Sequence, residues 1–177
     1  MRGRGFLLKS SENTVRVFDD SRVVIKDAAK QVNGLPVANA GTNVSETVIT
    51  SKELMLDYKA RKARFEHDVH VKDSKMEMFC DELEVQSGQD NQINWIGAYN
   101  GVRILNEGRE AQAGKATYDI KTDEFVLEDH PRILDGKNVL MGEQIRFWRG
   151  SGRMVCEPFA RLIVYSDEKM NTNIFGK

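Results

Sequence analysis

The sequence predicts an all-β chain: a repeat-built antiparallel β-jellyroll or folded-over open sheet of about ten or more short strands. Three observations predict it. Apolar residues alternate with polar ones over short runs bounded by turn residues, the period of a half-buried strand. Long stripes at helical spacing are few. Two residue patterns also recur along the chain at a nearly constant interval, which unrelated hairpins would not do.

The alternating runs in order are VRVFDDSRVVI (15–25), ELMLDY (53–58), ARFEHDVHV (63–71), KATYDI (115–120), FVLEDHPRIL (125–134) and VLMGEQIRFW (139–148). Valine, isoleucine, phenylalanine and tyrosine dominate them, residues that pack well on a pleated surface. The polar tetrads KARK, KDSK, KTDE, DGKN and RGSG separate runs and read as turns. One stretch, the Gly/Asn/Ala-rich KQVNGLPVANAGTNVSE, fits neither and reads as an inserted loop at about 28–46.

The first recurring pattern is a heptad of residues: VFDDSRV (17–23), FEHDVHV (65–71), AYNGVRI (98–104), LEDHPRI (127–133) and CEPFARL (156–162). Each opens on an apolar or small residue, carries Arg or His sixth and closes on an aliphatic. From the second copy on, the starts lie 33, 29 and 29 residues apart. The second pattern, a small residue with apolar positions three and five later, gives SKELML from Ser51, CDELEV from Cys80, AGKATY from Ala113 and GEQIRF from Gly142. GRGFLL from Gly3 fits it too. The chain is therefore one domain, 1–177, of five two-strand units at 3–27, 51–71, 80–104, 113–133 and 142–165. One such unit cannot bury its apolar face alone, whereas adjoining copies share a continuous core. Since Gly3-Arg4-Gly5-Phe6 begins inside a repeat unit, native sequence upstream is expected to have been removed.

Composition removes several function classes. With Lys+Arg 26 against Asp+Glu 27 the net charge is -1, so no basic excess addresses nucleic acid. No apolar run is long enough to span a bilayer as a helix. MRGRGFLLKSSEN has a signal peptide's arginines, but Phe6-Leu7-Leu8 is too short for its hydrophobic core. Two cysteines make no disulfide framework.

His67, His70 and Cys80 invite a metal-site reading. Side chains three apart on an unbroken strand face opposite ways, and zinc needs three or four convergent ligands. In the repeat, His67 occupies the place of Asp19, Asn100, Asp129 and Pro158, residues of bends or bulges. His70 stands where the other copies have Arg, an outward-facing position, and Cys80 fills the small-residue slot. No metal and no cofactor is expected. None of the familiar catalytic motifs occurs, and Trp95 and Trp148 read as packing at strand ends.

The stretch ITSKELMLDYKARKARFEHDVHVKDSKMEMFCDELEV resembles the repeat of LptA and the related OstA-like periplasmic domains of lipopolysaccharide export, and so does GREAQAGKATYDIKTDEFVLEDHPRILDGKNVLMGEQIRFWRGSGRMV. The resemblance covers residues 47–165 well and 3–27 as a weaker unit. The chain departs from the family's Gly-Asn bend at His67-Asp68 and Asp129-His130, and Asn100-Gly101 keeps those residue types in reverse order. The 28–46 insertion is a further departure. The resemblance implies a half-closed shell in which an apolar groove between two sheets takes the acyl chains of lipopolysaccharide or lipid A, without enzymatic chemistry. It implies a periplasmic location, and head-to-tail self-association or edge-strand docking to similar jellyroll domains of LptC- and LptD-like membrane partners. The candidate groove residues are Leu54, Leu56, Phe65, Val69, Val71, Met76, Met78, Leu83, Val85, Val102, Ile104, Tyr118, Leu127, Ile133, Ile145, Phe147 and Leu162. Two other classes stay open: a structural or adhesive β-solenoid whose apolar strip is filled core, and a carbohydrate-active β-helix with carboxylates on one face.

Overall fold

A computed structural model describes residues 5–9, 13–26, 46–90, 92–148 and 151–165. Thirteen strands form one sheet in which every pairing is antiparallel. They are β1 (Gly5–Lys9), β2 (Thr14–Lys26), β3 (Glu46–Asp57), β4 (Lys62–Lys72), β5 (Met76–Ser87), β6 (Ile93–Asn106), β7 (Arg109–Asp119), β8 (Glu124–Glu128), β9 (Arg132–Asp135), β10 (Asn138–Met141), β11 (Gln144–Trp148), β12 (Arg153–Glu157) and β13 (Arg161–Ile163). Strands β1 to β7 follow one another across the sheet. The sheet then forks: the second half of β7 pairs β8, followed by β11 and β12, while its first half pairs β9, followed by β10 and β13. The β-solenoid alternative, a stack of coils, is not this topology.

The strands differ from the sequence expectation in length. Strands β2 to β7 run 11–14 residues, longer than the alternating runs suggest, because each continues through a bulge that breaks the alternation. The bulges fall at Phe18/Ser21, Glu66/Val69 and Tyr99/Val102, where the register shifts. These are the third and fourth positions of the first repeat. Asp19-Asp20, His67-Asp68, Asn100-Gly101 and Asp129-His130 all have positive φ, between 52° and 69°. Asp, Asn, His and Gly are the residues that enter this left-handed region at least cost. The repeat is thus a code for a crease. Opposite it, the small-residue slots of the second pattern let the backbone close. A Cβ on Gly142, the slot of the last unit, would strike the Cys156 sulfur, and one on Gly114, the residue after the Ala113 slot, would strike the Asp129 side chain.

The crease divides the sheet into two leaves whose inner faces share one hydrophobic core. In leaf A, pairing aligns Val17, Leu54, Phe65, Leu83, Ala98, Ala116, Leu127 and Ile145 in a single row beside the crease. In leaf B the crease row holds Ser21, Ser51, Val69, Cys80, Val102 and Ala113, all buried. The Ser21 and Ser51 hydroxyls pair at 2.6 Å and Ser51 Oγ donates to the Glu53 carbonyl at 2.7 Å, so the polar spot in this row is satisfied.

At the C-terminal end, CEPFARLIVY (156–165) is divided between two strands. Phe159 has φ 58°, and the chain turns there at the fifth crease. Strand β12 closes leaf A and β13 closes leaf B. The expected inserted loop lies almost wholly outside the described residues, and Glu46, counted in it, already begins β3.

Candidate functional site

All seventeen candidate groove residues lie on the inner face, as their register and parity require. Their burial separates them. Leu54, Phe65, Val69, Val71, Met78, Leu83, Val85, Val102, Leu127 and Ile145 are buried, in the crease rows or directly beside them. Leu56, Met76, Ile104, Tyr118, Ile133 and Phe147 are half-buried, and Leu162 is exposed. The first ten are closed core. The other seven line the face where it opens.

The opening follows from distance to the crease. In leaf A the row two residues outward is closed at Val15 and Val85 and half-buried at Leu56, Ala63, Ile96, Tyr118, Phe125, Phe147 and Met154. Beyond it Tyr58 and Ile120 are exposed. In leaf B the corresponding row is closed at Ile49, Val71 and Met78, half-buried at Ile104, Ala111, Ile133 and Leu140, and exposed at Leu162. The inner face is therefore sealed at the crease and increasingly open toward the rims and toward β13. Six half-buried residues of these rows, Ala63, Ile96, Ala111, Phe125, Leu140 and Met154, were not singled out from sequence. Their signal is the cross-strand row, which needs the register.

The rims are polar. At the rim of leaf B, Arg109 Nε meets Asp135 Oδ2 at 3.1 Å, and the turns around Lys72–Glu77 and Leu105–Glu110 enclose a depression of about 480 Å³ beside Met76. At the rim of leaf A, Tyr118 donates its hydroxyl to Asp123 Oδ1 at 2.7 Å, while its ring stacks on Phe125 with centroids 4.0 Å apart. Each arrangement keeps polar atoms at the mouth and apolar carbon inside.

The outer face is a lattice of cross-strand ion pairs. Arg64 bridges Glu66 and Glu82 at 2.9 and 2.8 Å, Lys115 meets Glu128 at 2.7 Å, and Arg103 meets Glu110 at 2.8 Å. Lys115 holds the Glu128 carboxyl below its ordinary range, and Arg103 does the same for Glu110. The sixth positions of the repeat, Arg22, His70, Arg103, Arg132 and Arg161, share one outward-facing row, as the sequence implied.

The histidines do not converge, though for a different reason than strand parity. The strand is broken between them. His67 sits in the bulge facing Asp81 at 3.7 Å, whereas His70 stacks on Phe79 at 4.5 Å and faces Glu77 at 3.8 Å. Cys80 lies in the crease, where burial pushes its thiol up to about 12. Among the described residues no group of three or more His, Cys, Asp or Glu side chains could hold a metal ion.

Residues 48–153 match the family described as LptA/(LptD N-terminal domain) LPS transport protein. The chain belongs to this family. The match runs from β3 to the first residue of β12 and so includes three of the five creases, at His67-Asp68, Asn100-Gly101 and Asp129-His130. No curated protein matches the sequence. Among solved structures, the crystal structure of LptH, the LptA-homologous periplasmic component of the lipopolysaccharide transport device of Pseudomonas aeruginosa, superimposes with a TM-score of 0.61. The match has 12% identity and covers 67% of this chain and 94% of that one. At that identity the likeness is one of fold, and the fold is the LptA-like open sheet.

Proposed function

We propose that the chain carries lipopolysaccharide, or a similar amphipathic glycolipid, by holding its acyl chains against the open part of the inner face. The observation that carries the proposal is the gradient of burial. A filled core would bury all rows alike, whereas here an apolar row stays accessible from Ile104 through Ile133 and Leu140 to Leu162. Across from it stand Leu56, Tyr118 and Phe147. Each acyl methylene withdrawn from water onto such a surface contributes about 0.8 kcal/mol. The phosphorylated sugars remain in water beyond the polar rims. No step in this carriage needs an enzyme, a metal or a cofactor.

The same reading locates the protein in the periplasm, in contact with related Lpt components through its open sheet edges. It is tested by charging the open rows. Ile133→Glu and Phe147→Glu should each cut binding of lipid A by roughly tenfold or more while shifting the melting temperature little. Folded variants that take up lipid A normally would refute the groove.

A further inference from the structure

We propose that the outer face of leaf A carries a second site, independent of the acyl groove, which binds a neutral saccharide on Trp95. The site is a row plus a bulge. Lys62, Gln86, Trp95 and Asp119 are aligned by pairing across β4, β5, β6 and β7. With Glu84, Asn94 and Lys121 they line an open depression of about 390 Å³.

Trp95 is fixed in place along its own strand. Its six-membered ring lies over Gly97, where a Cβ would run into it, so the indole is laid along the outer face of the sheet. An immobilised aromatic flanked by hydrogen-bonding groups suits a sugar: the ring accepts the apolar C–H face, and the neighbours accept and donate to hydroxyls. Two of those neighbours are uncommitted. The Gln86 amide has no hydrogen-bond partner among the described residues, and Asn94 Oδ1 is buried without a donor. An unmet buried acceptor costs about 1–3 kcal/mol until a hydroxyl reaches it. Asp119 uses one oxygen, Oδ1, to cap the turn by accepting from the N–H groups of Lys121 and Thr122 at 2.8 and 3.1 Å. The Thr122 side chain also hydrogen-bonds this carboxylate, so Asp119 shapes the depression and is not counted among its ligand groups.

Charge selects the ligand class. Lys62 and Lys121 balance Glu84 and Asp119, and Lys62 stands 4.0 Å from Glu84, so nothing favours a phosphate or another anion. A neutral sugar unit could come from the acyl-free oligosaccharide of a glycolipid or from a cell-wall glycan. Two probes separate these sources: a neutral, phosphate-free outer oligosaccharide fragment of lipopolysaccharide, and N,N′-diacetylchitobiose.

Saturation-transfer NMR on the whole chain with each probe tests the site. At least one probe should bind. Trp95→Ala should weaken it by about tenfold and Gln86→Ala by roughly threefold, with Trp148→Ala unchanged. If Trp95→Ala fails to fold, Gln86→Ala, an exposed-face truncation, decides. The site is refuted if neither probe binds, or if binding survives the Gln86 and Trp95 changes unaltered. Uptake of a fluorescent fatty acid should be the same in all these variants. Loss of fatty-acid uptake in the wild type would therefore count against the groove and leave this site standing.

Discussion

At the scale of single residues, the fold rests on where the backbone can turn left-handed and where a side chain must be absent. The four bends with paired positive φ use Asp, His, Asn and Gly. A β-branched residue there would cost about 1–2 kcal/mol. Asp68→Val and Asn100→Val should each lower the melting temperature by several degrees, with Asn100→Gly near neutral; thermal unfolding followed by circular dichroism checks this. The thiols give a second reading of the same crease. Because burial holds Cys80 near 12, with Cys156 raised as well for the same reason, native protein should react with a disulfide reagent at pH 8 far more slowly than a free thiol. Denaturant should release both. A fast-reacting Cys80 would mean that the crease opens. His67→Ala and Cys80→Ser should leave metal content unchanged by elemental analysis, since His67 faces Asp81 and the thiol faces the core.

At the scale of elements, the sequence shows the creases more clearly than the strands. The repeat spacing is visible because each crease needs the same backbone conformation, and so the same few residue types, at the same phase. Strand lengths are hidden because a bulge flips parity. Leu54 and Leu56 occupy the inner face at even numbers in β3, while Ile49 and Ser51 occupy it at odd numbers. The inner-face residues were legible one by one, since apolar alternation marks a face, but alternation cannot tell core from groove. That distinction depends on how far a row lies from the crease, a property of the assembled sheet. Phe65, in the crease row at 2% exposure, is core: Phe65→Glu should unfold the protein, whereas Ile133→Glu should not. Outer-face ion pairs add a smaller effect with a definite sign. Glu128 is held below its ordinary range by Lys115, so its contribution is present above the unfolded carboxyl value and is lost as pH falls through the folded one. Lys115→Met should flatten the acid decline of stability, by less than about 1 kcal/mol because the pair is largely solvated.

At the scale of the whole molecule, an antiparallel sheet that never closes must end somewhere. At one end the edges are β1 in leaf A and the Ser21–Lys26 half of β2 in leaf B, and the fork gives the other end β12 in leaf A and β13 in leaf B. None of the four has a second partner strand among the described residues, so each presents free N–H and C=O groups. The C-terminal end is also apolar. Phe159 is 82% exposed, and Leu162, Ile163, Val164 and Tyr165 stand in the open beside it. The accessible row of the inner face runs out at this end, at Leu162. A second copy, or a related sheet, that added its own edge strands here would extend both leaves and the apolar row together. Such a contact joins unlike ends, so it propagates rather than closing. The chain should therefore self-associate end to end with rising concentration. Paired substitutions Leu162→Pro and Val164→Pro should weaken this while lowering the melting temperature of the chain only slightly, because they alter an edge strand and not the crease rows. Sedimentation velocity across a concentration series reads the outcome. A strictly monomeric species at high concentration would rule out a continuous track between copies, and would confine the protein to shielding its lipid one molecule at a time.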